Sequence, residues 1–257
     1  MFTIVALKTV FFDYGGTLVA VSRPWAEVKP KAVLSGFKAM ERVGLKLPFE
    51  AYREVSDAVF QKNKALEAAE RRDIPDLVSY REIVDMLFPA ETTAWRRQVA
   101  AQATEAFWLV AKKNFVPRNG TAQMLRTLRA LGLRTAVVSN HHHPPALRGH
   151  LKEIGISSYF SKIYASASVG MRKPDLRFFR ACLRGMRTRP NQAIFVGDSR
   201  EYDIEGADKA GIRTILVTGG WLTESQSQIG SSDVAPDFVV SDLQEIPEIV
   251  LSLMSSK

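Results

Sequence analysis

Four short runs rich in β-branched residues each stop at a polar residue, and this punctuation limits the possible folds more than any other feature of the chain. The runs are Thr9–Phe12 before Asp13, Thr135–Val138 before Ser139, Ala193–Val196 before Gly197-Asp198, and Thr214–Val217 before Thr218-Gly219. A fifth, Ile163–Ala165, leads towards Gly170 and Lys173. Nearly continuous apolar strands are what a sheet covered on both faces needs. Helical spacing fills the gaps between them. Met124, Leu125, Leu128 and Leu131 repeat until Gly132, Pro174 and Asp175 open a helix carrying Phe178, Phe179 and Leu183, and Gly206, Ala207 and Ala210 precede Gly211. Strand–helix alternation of this kind predicts an α/β fold, a doubly wound parallel sheet with right-handed crossovers.

One region breaks the alternation. From about Val21 to about Asn114 no strand is expected, while Tyr52, Val55 and Val59, and Trp95, Val99, Ala103, Phe107 and Val110, recur at helical spacing. The insertion is too long for a simple crossover, so it is read as a separate helical domain over residues 21–114, with the α/β core on 1–20 and 115–257. Glu224 to Pro236 reads as a polar loop, Phe238–Val240 as an edge strand, and a last helix ends near Met254.

Composition narrows the setting. The 257 residues are 46% apolar, enough for a sizeable core with a smaller appended domain. No apolar run approaches the ~20 residues of a membrane span. The apolar start, Met1 to Phe12, does not read as a signal peptide. It lacks a basic n-region, Lys8 interrupts it, and Asp13-Tyr14-Gly15-Gly16 stands where small residues should mark cleavage. Cys182 is the single cysteine, so no internal disulfide forms. Its helical neighbours mark it as a buried small residue, and a reducing cytoplasm fits. The net charge of +8 is scattered, with clusters at Arg71-Arg72 and Arg96-Arg97 and single arginines from Arg177 to Arg189. No basic stripe is interleaved with exposed aromatics, so nucleic-acid binding is not expected, and a basic surface suits anionic small molecules.

In open α/β sheets ligands bind beyond the carboxyl ends of the strands. Asp13, Ser139, Lys173, Asp198 and Asp203 should therefore share one crevice. Two or three carboxylates can hold a hard cation such as Mg²⁺ through oxygen. A lysine and a hydroxyl can orient a phosphoryl group, and Gly15 and Gly16 leave backbone N–H groups free to approach it.

These segments resemble the motifs of the haloacid dehalogenase-like (HAD) superfamily. Val10-Phe11-Phe12-Asp13-Tyr14-Gly15-Gly16-Thr17-Leu18 resembles the first, Ala136-Val137-Val138-Ser139-Asn140 the second, Gly170-Met171-Arg172-Lys173-Pro174-Asp175 the third, and Ile194-Phe195-Val196-Gly197-Asp198-Ser199 through Asp203 the fourth. The resemblance spans the whole core and implies a Rossmann-like sheet with a helical cap, acting as a Mg²⁺-dependent phosphohydrolase on a small phosphorylated metabolite. It implies that Asp13 is nucleophile and metal ligand, with the Gly15 carbonyl and Asp198 as further ligands. Asp203 then binds the metal through water or orients Lys173. Ser139 and Lys173 hold the phosphoryl oxygens, with Gly15, Gly16, Thr17 and Asn140 around them, and Thr17 supports the loop. The protein is expected to be cytoplasmic, a monomer or a homodimer, with cap hinges near Val21 and Asn114.

The chain departs from the pattern at Gly15, where phosphatases of this superfamily carry a second Asp that moves the proton, a role worth ~10²–10⁴-fold. Three readings stay open. The first is a phosphatase whose proton comes from elsewhere or whose leaving groups need none. The second is a phosphonate-cleaving enzyme with a Schiff-base lysine among Lys29, Lys31, Lys38 and Lys46. The third is a non-catalytic metal- and anion-binding module. Asp198 and Asp203 argue against dehalogenation. His141, His142 and His143 read as a solvated loop closed by Pro144-Pro145, or else one of them supplies the missing proton. Tyr202 either stacks near the lysine or packs, and Trp25 and Trp221 read as packing residues near the cap–core seam.

Overall fold

The alternation predicted from the strand ends is the architecture of the molecule. A computed structural model of the chain describes residues 7–70, 72–220 and 232–255. Strand β1 (Thr9–Phe12) is followed by β2 (Val19–Val21) and four helices, α1 (Trp25–Glu41), α2 (Phe49–Glu70), α3 (Asp76–Leu87) and α4 (Thr93–Ala111). The chain returns through β3 (Phe115–Pro117) and α5 (Thr121–Ala130) to β4 (Arg134–Ser139) and α6 (Pro144–Glu153). Then come β5 (Phe160–Ala165), α7 (Ser166–Val169), α8 (Leu176–Gly185), β6 (Ala193–Gly197), α9 (Gly206–Lys209), β7 (Arg213–Val217), β8 (Phe238–Val240) and α10 (Glu245–Ser255). The expectations for Trp221 and for most of the loop from Glu224 lie outside the described residues.

Six strands form one sheet in the order β5-β4-β1-β6-β7-β8, and every pairing in it is parallel. Successive side chains of a strand alternate between its faces. Val10, Phe12 and Val137 accordingly join one apolar layer with Met124, Leu147 and Val250. Phe11, Ala136 and Val138 join the other, with Phe178, Phe179 and Cys182, which is buried as expected. Chain order reverses direction across β1, whose neighbours are β4 and β6, and the crevice of a doubly wound sheet opens at that switch point.

The helical insertion has its own core. Phe37, Met40, Tyr52, Tyr80, Ile83 and Phe107 pack within it, and Ala146 of α6 joins them from the core domain. The cap hinges expected near Val21 and Asn114 fall at the ends of two short strands. β2 and β3 pair antiparallel, with Val19 opposite Pro117 and Val21 opposite Phe115. Ser22 and Asn114 close the ribbon through N–H to carbonyl at 2.8 Å and through their side chains at 3.0 Å. Three-residue strands are too short to show alternation in a sequence. Among the described residues no helix is long and apolar enough to cross a membrane.

Candidate active site

The ends of β1, β4 and β6 deliver Asp13, Ser139 and Asp198 to one edge of the sheet, and all three are buried. Lys173 arrives from the connection between β5 and α8. Asn140 holds its main chain on both sides, accepting from the Lys173 N–H at 2.8 Å and donating to the Lys173 carbonyl at 3.0 Å. The ammonium is 2% exposed, donates to Asp13 Oδ1 at 2.5 Å and to Asp203 Oδ1 at 2.6 Å, and lies 5.6 Å from the Phe195 ring centroid. Burial alone would lower its pKa, but the charges of Asp13 and Asp203 outweigh it and raise the pKa above the ordinary lysine value, so the group stays protonated.

Asp203 sits in a wide π-type turn, Arg200–Glu205, that bends its carboxylate back over the end of β6. There Oδ2 accepts from the N–H groups of Asp198 at 3.1 Å and Ser199 at 3.0 Å. Glycine is required beneath it, because a Cβ on Gly197 would stand 2.3 Å from Asp203 Cγ. Burial and the charge of Asp13 push the Asp203 carboxyl up to about 6 against the pull of Lys173.

The loop after Asp13 is equally determined. Gly16 has φ 80, Arg118 donates to its carbonyl at 2.9 Å, and a Cβ on Gly220 would stand 1.7 Å from that oxygen. Two expectations change here. The Gly16 N–H donates to the Val19 carbonyl at 2.8 Å because the turn folds back on β2, so only Gly15 keeps its N–H outside the turn's bonding. The Thr17 hydroxyl donates to Asp198 Oδ1 at 3.2 Å and is fully buried, so it braces a carboxylate. Gly15 has no comparable constraint. Its φ is ordinary, and the nearest neighbour of an added Cβ would be Phe115 Cε1 at 3.8 Å.

Asp13, Asp198 and Asp203 each offer an oxygen within 4.8 Å of the others. Asp13 and Asp203 share one lysine, and burial together with the Asp13 charge keeps the Asp203 carboxyl raised against its pull. An all-oxygen, under-neutralised cluster fits a hard divalent cation. Both Asp203 oxygens are engaged, one by Lys173 and one by backbone N–H groups.

The three histidines do not form a solvated loop. His141 and His143 are 6% and 8% exposed, and Pro144 opens α6 directly. The cap lies over them, so burial replaces solvation. His141 packs on Trp108 with ring centroids 4.6 Å apart, and burial with the neighbouring histidines pulls its pKa down to about 3. His143 stacks on the same indole, with Nε2 3.4 Å from Glu105. His142 Nε2 lies 3.1 Å from Glu67 and 3.7 Å from Asp73, both on the cap. Burial opposes its charge, but Glu67, Asp76 and Asp73 prevail and push the pKa up to about 9. At pH 7 His141 is therefore neutral and His142 charged. Asp73 also pairs with Arg172 at 2.9 Å and accepts from the Ser166 hydroxyl, which forms a second acidic group on the seam. Sequence reasoning missed this group, since its members are far apart in the chain and follow no motif.

The remaining candidates are peripheral. Lys31, Lys38 and Lys46 are exposed, and Lys29 pairs with Asp57 at 3.6 Å. Arg172 lies over the Tyr202 ring at 5.9 Å, and Trp25 is 6.3 Å from Phe107 while 42% exposed.

Known proteins resemble this chain. The chain is 26% identical over 250 residues to a glyceraldehyde 3-phosphate phosphatase of Methanopyrus kandleri, covering 96% of this chain and 98% of that one. It is 34% identical over 122 residues to a phosphoserine phosphatase of Thermus thermophilus, covering 48% and 46%. Among solved structures, a 2-haloacid dehalogenase from Pseudomonas syringae pv. Tomato DC3000 superposes with a TM-score of 0.70 at 20% identity, covering 96% and 98%, which is a likeness of fold. The haloacid dehalogenase-like hydrolase model matches residues 7–211, a stretch that holds Asp13, Ser139, Lys173, Asp198 and Asp203 and the helical insertion, and the chain is a member of that family.

Proposed function

We propose that this hydrolase is a Mg²⁺-dependent phosphohydrolase acting on a small phosphorylated metabolite, with Asp13 as the nucleophile. The observation that carries the reading is the pairing of Lys173 with both Asp13 and Asp203 inside a cluster of three carboxylates. A phosphatase aligned over nearly the whole chain supports it. Mg²⁺ held by Asp13, Asp198 and the Gly15 carbonyl, with Asp203 behind, would supply positive charge against the repulsion between carboxylate and phosphate.

The chain's own residues carry the rest. The free oxygen of Asp13 attacks phosphorus, the bond to the leaving oxygen breaks, and an aspartyl-phosphate forms that water then hydrolyses. Lys173 offsets charge on the transferring group, Ser139 and the Gly15 N–H hold its oxygens, and Asn140 fixes Lys173 in place. No acid stands at position 15. Neither His141, neutral at pH 7, nor His142, bound to Glu67 and Asp73, fills that role. The reading therefore favours substrates whose leaving groups need no proton. Phosphonate cleavage is not favoured, since the lysines considered for a Schiff base are exposed or paired at the surface. The functional unit is read as a cap at 21–114 over a core at 1–20 and 115–257, in a monomer or homodimer of the cytoplasm.

The test is phosphate release from an aryl phosphate, with and without Mg²⁺, for the wild type and for Asp13→Asn. Mg²⁺-dependent release that vanishes in the variant is expected. Equal inertness of both proteins overturns the reading. Gly15→Asp sharpens it. A Cβ there makes only an ordinary contact with Phe115, and the variant should gain about 10²-fold or more on alkyl phosphates and little on aryl phosphates.

A further inference from the structure

The catalytic groups use one edge of the sheet. The opposite edge carries a basic concavity that they leave unexplained. Lys8, Arg180, Arg184, Arg187 and Arg189 line a cavity of about 630 Å³, closed by Leu183, Pro190 and the floor residue Thr188. From Lys8 to Asp13 the extended chain runs roughly 17 Å, so this cavity is separate from the crevice.

Two independent features distinguish it from an ordinary basic surface. First, its charge is uncompensated. Some cations elsewhere find carboxylates, as Arg177 does with Asp175, Arg96 with Asp85 and Lys112 with Glu153. None of the five lining cations forms an ion pair among the described residues, and no carboxylate lines the cavity. Arg180 and Arg184 are moreover four residues apart on α8, where like charges sit side by side and repel.

Second, Arg187 is strained. It has φ 48, in the left-handed region, and is the one non-glycine residue there among those described. Helix α8 ends in a turn in which the Thr188 N–H donates to the Leu183 carbonyl at 3.0 Å and the Arg187 N–H to Arg184. The left-handed position of such a turn is ordinarily glycine, which adopts it without penalty. An arginine placed there accepts backbone strain to put a guanidinium at the mouth of the cavity. The floor is rigid: the Thr188 hydroxyl lies 2.7 Å from that of Thr9, and Arg134 donates to it at 3.0 Å.

We propose that this cavity is a second anion site, which binds a compact, non-aromatic polyanion bearing two or more phosphoryl groups. Its volume suits a small ligand. Its five cations call for several negative charges, and no aromatic ring lines it on which a base could stack.

The experiment is calorimetric titration of the full-length chain with inorganic triphosphate and, separately, with inorganic phosphate and a single-stranded oligonucleotide. Wild type, Arg184→Gln and Arg187→Gly are compared at two salt concentrations. Arg187→Gly keeps the turn, because glycine fits the backbone, so folding does not confuse the outcome. Triphosphate is expected to bind at least ten times more tightly than phosphate, with an affinity that falls as salt rises. Each variant should weaken it about tenfold or more while leaving turnover of an aryl phosphate unchanged. Equal binding by all three proteins would place the ligand in the catalytic crevice and overturn the proposal. So would no binding at all, which leaves a solvated basic surface, or an oligonucleotide preference lost in the same variants, which makes the face a nucleic-acid surface.

Discussion

Asp13, Asp198 and Asp203 come from one domain, and Asp13 and Asp203 share one cation, Lys173. Glu67 and Asp73 come from the cap and meet two cations of the core, Arg172 and His142. Both groups can bring three ligand atoms within 4.8 Å, so geometry alone does not separate them. Charge does. The first group is short of positive charge, and one of its carboxyls is pushed up to about 6. The second is nearer to balance, since Arg172 and a protonated His142 answer Glu67 and Asp73, with the neighbouring Asp76 carboxyl raised by burial. An under-neutralised cluster has a use for a cation, whereas a balanced one across a domain seam holds two bodies together. Acid clusters are therefore better judged by the charge left over than by the number of possible ligands.

The largest expected difference is in turnover. Asp198→Asn should lower it about 10²–10³-fold and remove the rise in melting temperature on adding Mg²⁺, while Asp73→Asn should change turnover by less than about tenfold and keep that rise. If Asp73→Asn alone abolishes the Mg²⁺ shift, the two clusters have been assigned the wrong way round.

Stability should rank them in reverse. Asp73 has no exposed side-chain surface, and Asp73→Ala strands Arg172, so a loss of about 3 kcal/mol, roughly 6–12 °C in melting temperature, is expected. Adding Arg172→Met should recover part of it. A loss under about 1 kcal/mol would show that the seam opens freely.

The pH windows should differ as well. Both Asp203 and His142 have folded pKa values above their unfolded ones, so each contributes stability that is present at low pH and lost as pH rises through the folded value. For Asp203 in the metal-free chain that loss falls between about 4 and 6. Mg²⁺ should therefore raise the melting temperature more at pH 7 than at pH 5.

For His142 the loss falls between 6.5 and about 9. Its side chain is 37% exposed, so solvent screening leaves on the order of 1 kcal/mol, or about 2–4 °C. His142→Gln should flatten the melting curve across that window in wild-type Mg²⁺ buffer. An unchanged slope would mean that Glu67 and Asp73 do not hold the proton.

Much of this was open to reading in the sequence, and the limits have physical causes. Strands buried on both faces must be apolar, and the polar residues that end them must lie at the crevice, so Asp13, Ser139, Lys173 and Asp198 could be placed together from order alone. The absent carboxylate at Gly15 was equally plain. Tertiary structure decided what depends on distant segments meeting. The ribbon of β2 and β3 exists because two short stretches some 90 residues apart pair. His141 and His143 after β4 are buried because the cap covers them, which no local polarity could reveal. Only the fold brought Glu67 and Asp73 to Arg172 and His142, and only it showed that Gly16 is held by its backbone while a Cβ at Gly15 would meet nothing closer than Phe115. Periodicity records which face of an element is buried, and packing decides what that face is buried against.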